Sequence, residues 1–251
     1  LIILLSVKNL EEPEIKLLRA DKIFFSPEMR INLTPDFRLK TIKPDSGKRE
    51  ETMVKKAKSE SREIIGACLY FPRPGPQNTE KTLEIARARA EELGLTQAVV
   101  ASTTGRTGVL ATQYLKGLNL VIVTHCTGYL RPDYQELERA NRQLIEASGA
   151  RLLTAQHSFG GVGRAVRKKL GSYQIDEIMA YTLRVFGEGA KVAIEISLMA
   201  ADAGLIRTQE PCLAIGGTGS GADTALILKP AYSHTFFDLR VMEILAKPRL
   251  P

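Results

Sequence analysis

Residues 102 to 107 read Ser-Thr-Thr-Gly-Arg-Thr, so four hydroxyls, one glycine and one cation occupy six consecutive positions. They follow the apolar, β-branched run 97–101 and lead directly into a helical pattern over 108–115. That is the pattern of a strand, a turn and a helix N-terminus. Unpaired backbone N–H groups collect at such a junction, at the positive end of the helix dipole, and favour a phosphate or another anion. Ser102, Thr103, Thr104 and Thr107 would add hydroxyls to the spot, and Arg106 a charge. A capped strand-to-helix turn that holds only water has the same sequence, so both readings stand.

A second loop, Gly216-Gly217-Thr218-Gly219-Ser220-Gly221-Ala222, contains a literal G-x-G-x-x-A. A dinucleotide fingerprint must open a helix, whereas the residues after this loop, 224–228, read as a strand. The loop is therefore either an anion-binding nest of backbone N–H groups or a tight hairpin connection. Neither a Walker A loop nor a G-x-S-x-G elbow is present.

The apolar helical pattern over 190–205 carries Lys191, Glu195 and Asp202 on one face, because offsets of four and seven residues nearly complete whole turns. Carboxylates on so apolar a helix require a cation or a ligand cleft. Lys191 and Glu195 read as an ion pair, and Asp202, with no base one turn before it, as the functional candidate. His125 and His157 each follow an apolar strand pattern and so fall at a carboxyl end, where ligands bind in open α/β sheets. His125-Cys126 lacks a third partner, so no metal site is expected. Ser158 beside His157 makes no triad on sequence alone. His234 reads as a surface or capping residue.

The elements that must position these residues alternate. Strands are expected over 64–71, 98–101, 120–124, 151–155, 211–215 and 224–228, with a last one over 241–245. Helices are expected over 79–93, 108–115, 133–148, 176–186 and 190–205, the first burying Leu83, Ala86, Ala90 and Leu93. Residues 159–163 read as a flexible glycine turn. Strands joined by helices in this way give a mostly parallel sheet with helices on both faces. Residues 1–60 differ: four prolines and poor periodicity mark an N-terminal extension, partly disordered, with a lead-in helix over 52–63 and the α/β domain over 61–251.

The formal charge of +7 divides as +3 over residues 1–60 and +4 over residues 61–251, so no basic stripe points to nucleic acid. Three widely spaced cysteines argue for a reducing compartment. The apolar start at Leu1 reaches Lys8 too soon for a membrane span and lacks a signal-peptide pattern. A cytoplasmic protein is expected.

The phrases Asn78-Thr79-Glu80, Ala90-Glu91-Glu92-Leu93-Gly94 and Val99-Val100-Ala101-Ser102-Thr103-Thr104-Gly105 resemble the C-terminal α/β domain of pyruvate kinase. Thr124-His125, Thr127-Gly128, Leu183-Arg184, Gly189-Ala190-Lys191-Val192-Ala193, Met199-Ala200-Ala201-Asp202-Ala203-Gly204 and Gly216-Gly217-Thr218-Gly219 are similar to a stand-alone family of uncharacterised prokaryotic proteins bearing only this domain. Cys126 interrupts the Thr-His-x-Thr-Gly phrase, and the segment before Glu60 lies outside the family pattern. The resemblance implies a three-layer α/β/α sandwich, without the catalytic barrel and so without kinase activity. It implies a phosphate-cradling Ser/Thr loop and bound flavin mononucleotide (FMN), the ring lying against Tyr129, Phe159 or the glycine loop. The cofactor-binding candidates are Ser102, Thr103, Thr104, Gly105, Arg106, Thr107, Thr124, His125, Gly217, Thr218 and Gly219. Two functions follow. One is a binding protein for a phosphorylated small molecule or flavin nucleotide. The other is a flavin-dependent oxidoreductase with His125, Glu195 or Asp202 as acid or base. Homo-oligomerisation is left open.

Overall fold

The structure, a computed structural model, describes residues 2–4, 17–19, 63 and 65–249. The chain divides into two units, Leu1–Glu63 and Ile64–Pro251. In the first, β1 (Ile2–Leu4) pairs antiparallel with β2 (Leu17–Arg19). The disorder expected over 1–60 and the lead-in helix over 52–63 otherwise lie outside the described residues.

The second unit alternates strand and helix as its periodicity demands. Its elements are β3 (Leu69–Phe71), α1 (Thr79–Glu92), β4 (Gln97–Ala101), α2 (Arg106–Tyr114), β5 (Asn119–Thr124), α3 (Arg139–Ala147) and β6 (Arg151–Thr154). There follow α4 (Val162–Leu170), α5 (Ile175–Arg184), α6 (Glu188–Asp202), β7 (Cys212–Gly216), β8 (Thr224–Lys229) and β9 (Arg240–Pro248). The seven-stranded sheet has the order β3-β9-β8-β7-β4-β5-β6. It is parallel at β3–β9, β7–β4, β4–β5 and β5–β6 and antiparallel at β9–β8 and β8–β7. Val99, Val121 and Leu226 face a core built on α6, while Val100, Ile122 and Ile227 face one built on α1 and α2. The alternation of side chains along each strand thus fills both faces of the sheet. The result is the mostly parallel α/β fold expected.

Four expectations need correction. The helix over 133–148 begins only at Arg139: Asp133 has φ +58°, and the Gln135 side chain bonds the Leu137 N–H, so 125–138 is a long loop. Residues 162–170, given no helix from sequence, form α4, an amphipathic helix opening directly out of the 159–163 glycine turn, none of whose residues is buried. Leu93, assigned to the buried face of α1, is exposed at the helix end. The first domain strand is also short, starting at Leu69.

Helix α6 lies unusually close to the sheet because two glycines face each other. A Cβ on Gly216 would come within 2.3 Å of the Gly189 carbonyl oxygen, and one on Gly189 within 2.2 Å of Thr224 Oγ1. Gly216→Ala should therefore push helix from sheet and cost about 1–3 kcal/mol, read as a lowered urea midpoint with unchanged m-value. An unchanged midpoint would show that the helix yields freely.

Candidate ligand cleft

The turn after β4 is shaped from within. The Ser102 N–H donates to the Val123 carbonyl, and its buried Oγ accepts from the Gly108 N–H at 2.9 Å, fixing the first turn of α2. Gly105 takes φ +93°, where a Cβ would meet Asn141 Cβ at 2.6 Å. The first α-helical bond of α2 is donated by Val109 to the Gly105 carbonyl. Consequently the N–H groups of Thr103, Thr104, Gly105, Arg106 and Thr107 have no protein acceptor among the described residues.

This turn forms one wall of a cavity of about 1020 Å³ at the carboxyl ends of the parallel strands. Ser102, Thr103, Thr104, Arg106 and Thr107 line it from the β4–α2 turn, Thr124, His125, Tyr129 and Glu136 from β5 and its loop, and His157 from the loop after β6. Arg164 of α4, Arg184 of α5, Lys191 and Glu195 of α6, and Gly217, Gly219, Ser220 and Gly221 close it. Ligands are expected at this rim in open α/β sheets.

The far wall is an ion network. Lys191 Nζ donates to Glu195 Oε2 at 2.8 Å, and the Phe159 N–H donates to Glu195 Oε1 at 2.9 Å, all three groups buried. Glu188 lies 3.6 Å from Lys191 and also accepts from Arg184. The pair read from sequence is present and lines the cleft. Asp202 is not with it: seven residues on, at the exposed end of α6, its carboxylate accepts from the Ser233 N–H and hydroxyl and caps the turn Ser233–Asp238. Two helical turns carry it about 10 Å past Glu195, so sharing a face did not mean sharing a site.

Both histidines reach the cleft. His125 Nδ1 is 2.9 Å from Glu136 Oε2, and its Nε2 is 3.3 Å from Thr103 Oγ1. Tyr129 stacks on His157, ring centroids 5.0 Å apart, with the Arg164 guanidinium 5.1 Å from the Tyr129 ring centroid. His157 Nε2 is buried with no hydrogen-bond partner among the described residues. Burial holds its pKa below the usual imidazole value, against the pull of the Glu195 carboxylate.

Other candidates fall out differently. Arg106 is exposed and bonded to Glu138 at 3.1 Å. Thr124 is buried, its hydroxyl shared with Thr154 Oγ1 at 2.7 Å. Thr218 turns its N–H to Asp223, which also accepts from the Gly75 N–H and the Thr224 hydroxyl. That buried carboxylate shapes the glycine loop, and β7 and β8 form the antiparallel hairpin around it. Phe159 packs into the core against Phe236, away from the cleft lining. Glu136 and Arg164 were missed in sequence because one lay in an expected helix and the other in an unrecognised one. Among the described residues no group of three or more His, Cys, Asp or Glu could hold a metal, and no helix is long and apolar enough to cross a membrane.

A mostly parallel α/β sheet whose carboxyl ends open into one polar cleft, with a hydroxyl-rich helix N-terminus on its wall, defines a class of α/β domain rather than an activity. Residues 80–228, more than half of the chain, match the family described as pyruvate kinase, alpha/beta domain, and the chain belongs to that family.

Lys191→Met should strand the buried Glu195 carboxylate and cost about 3–5 kcal/mol by urea denaturation, and adding Glu195→Gln should restore much of it. A mild effect of the single change would mean that water reaches Glu195. For His157 the folded pKa lies below the unfolded one, so the unfolded chain binds the proton first as pH falls. Its contribution is full above about pH 6.5 and is lost as pH falls through that value toward the folded pKa. His157→Gln should flatten the fall in urea midpoint between about pH 6.5 and 5; an unaltered slope would assign the acid sensitivity elsewhere.

Proposed function

We propose that the protein binds a phosphorylated small molecule in this cleft, with the phosphate on the 102–107 turn, and that FMN is the ligand to test first. The observation that carries this is the run of backbone N–H groups from Thr103 to Thr107 without protein acceptors among the described residues, at the start of α2. Oriented N–H groups beside a helix dipole suit an anion better than water does. The hydroxyls of Thr103 and Thr107 add donors.

The remaining wall fits the rest of such a molecule. Tyr129 and His157 offer a stacked aromatic surface, and His157 Nε2 has an unmet hydrogen bond. The glycines at 217, 219 and 221 bring the β7–β8 loop to the opposite side. FMN, when bound, supplies an isoalloxazine ring with redox capacity; the residues here bind and orient it.

The test is calorimetric titration of the protein with FMN, riboflavin and inorganic phosphate. FMN should bind at least tenfold tighter than riboflavin, because riboflavin lacks the phosphate. Arg106→Ala should weaken FMN about three- to tenfold, a modest loss for a solvent-exposed cation already shared with Glu138. Failure of both FMN and phosphate to bind would remove this proposal; equal binding of FMN and riboflavin would move the phosphate off the turn.

A further inference from the structure

His125 touches the phosphate turn directly, and its hydrogen bonds constrain what it can do there. An ionised carboxylate only accepts, so the 2.9 Å contact with Glu136 places a proton on Nδ1. Nε2, 3.3 Å from Thr103 Oγ1, then has two states. Neutral His125 accepts the Thr103 O–H through Nε2. That uses the hydroxyl hydrogen and turns the oxygen's lone pairs toward the cleft, the wrong polarity for an anion. Protonated His125 donates through Nε2 instead, so the Thr103 hydroxyl is free to donate to a ligand while a positive charge appears behind it.

Resting on the reading that a phosphate occupies the 102–107 turn, we propose that the cleft takes its phosphomonoester together with a proton, held on His125 Nε2. Glu136 and Thr103 are the positioning residues of this relay. Glu136 lies on the β5–α3 loop and fixes the imidazole through Nδ1. The dianionic phosphate adds an attraction for the charge of the protonated ring, greater than a carboxylate or a phosphodiester would.

The surroundings of His125 are consistent with one added charge. From its own loop it faces Glu136 and the Tyr129 ring, 4.2 Å between centroids; from the β4–α2 turn, Thr103. From the loop after β6 it faces His157, at 5.2 Å, and from α4 Arg164 reaches over Tyr129. From α6, Glu195 and Lys191 act on His157 with opposite sign. His157 is biased to its neutral form by burial and does not compete for the proton, leaving Arg164 as the nearby positive charge that opposes it.

The experiment titrates the full chain with FMN and, separately, inorganic phosphate, at about pH 8, above the ordinary imidazole pKa of about 6.5. Paired buffers of different ionisation enthalpy convert the heats into protons taken up. The expected result is uptake approaching one proton per ligand, with affinity falling up to about tenfold per pH unit above neutrality. His125→Gln should abolish the uptake, weaken FMN at about pH 8 and flatten the fall of affinity with pH, while Glu136→Gln should reduce the uptake. Heats independent of buffer overturn the proposal while leaving phosphate binding intact. Uptake that persists in His125→Gln also overturns it, placing the proton on the phosphate. Binding of neither ligand overturns the phosphate reading and this proposal with it. Circular dichroism of each variant separates loss of fold from loss of the relay.

Discussion

The cleft depends on how closely α6 can approach the sheet. Gly189 and Gly216 remove the side chains that would hold helix and strand apart, and a Cβ at Gly216 would sit 2.3 Å from the Gly189 carbonyl oxygen. At that spacing the apolar body of the helix, including Ala193, Ile196 and Ala200, is buried against the sheet. Lys191 and Glu195 are carried into the wall of the cleft with it. Once there, the Glu195 carboxylate must be satisfied, and it is met by Lys191 on its own helix and by the Phe159 N–H from the loop after β6. One backbone approach therefore also fixes where that loop, and His157 upon it, can stand.

A second buried carboxylate does the same on the other side. Asp223 accepts from the backbone of Gly75 and Thr218 and from Thr224, so the β7–β8 loop and the segment entering α1 are tied to one point. Removing a carboxylate that satisfies several donors would leave buried N–H groups unmet, which is costly. The polar cleft is framed by groups that are not its candidate ligand contacts. Of the residues that face ligand space, the glycines of the β7–β8 loop also hold the fold, since a Cβ on Gly217 would lie 2.1 Å from the Gly221 carbonyl oxygen and one on Gly221 2.4 Å from Pro76 Cα.

Much of this was legible in the sequence because local physics and tertiary context agree there. The apolar runs at β4, β5, β7 and β8 are buried on both faces, and their strands lie within a residue or two of where the patterns place them. The strand-turn-helix at 97–115 was legible for the same reason. What was not legible is non-local. The loop over 125–138 carries helix-forming residues, yet its polar groups bond across the loop and beyond it: Gln135 donates to the His125 carbonyl, and the Glu138 N–H to the Thr104 carbonyl. Those contacts override propensity and bring Glu136 to His125. Asp202 failed for the opposite reason, since periodicity gives a face of a helix but not the distance along it.

The two cleft histidines show why strand-end position alone could not assign roles. Both follow parallel strands and their rings lie 5.2 Å apart, yet their surroundings differ in kind. His125 is bracketed by an acceptor on one nitrogen and a hydroxyl on the other, so both ring atoms have partners in either charge state. His157 stacks on Tyr129, with one ring nitrogen lacking any partner among the described residues. Burial therefore resists a charge on the second ring, while the first keeps a partner on each nitrogen. Two adjacent imidazoles thus differ in kind: one is held at both nitrogens, and the other presents a flat face to Tyr129 with a single unmet hydrogen bond. The difference follows from the carboxylate that the 125–138 loop delivers to His125 and to no other ring of the cleft among the described residues.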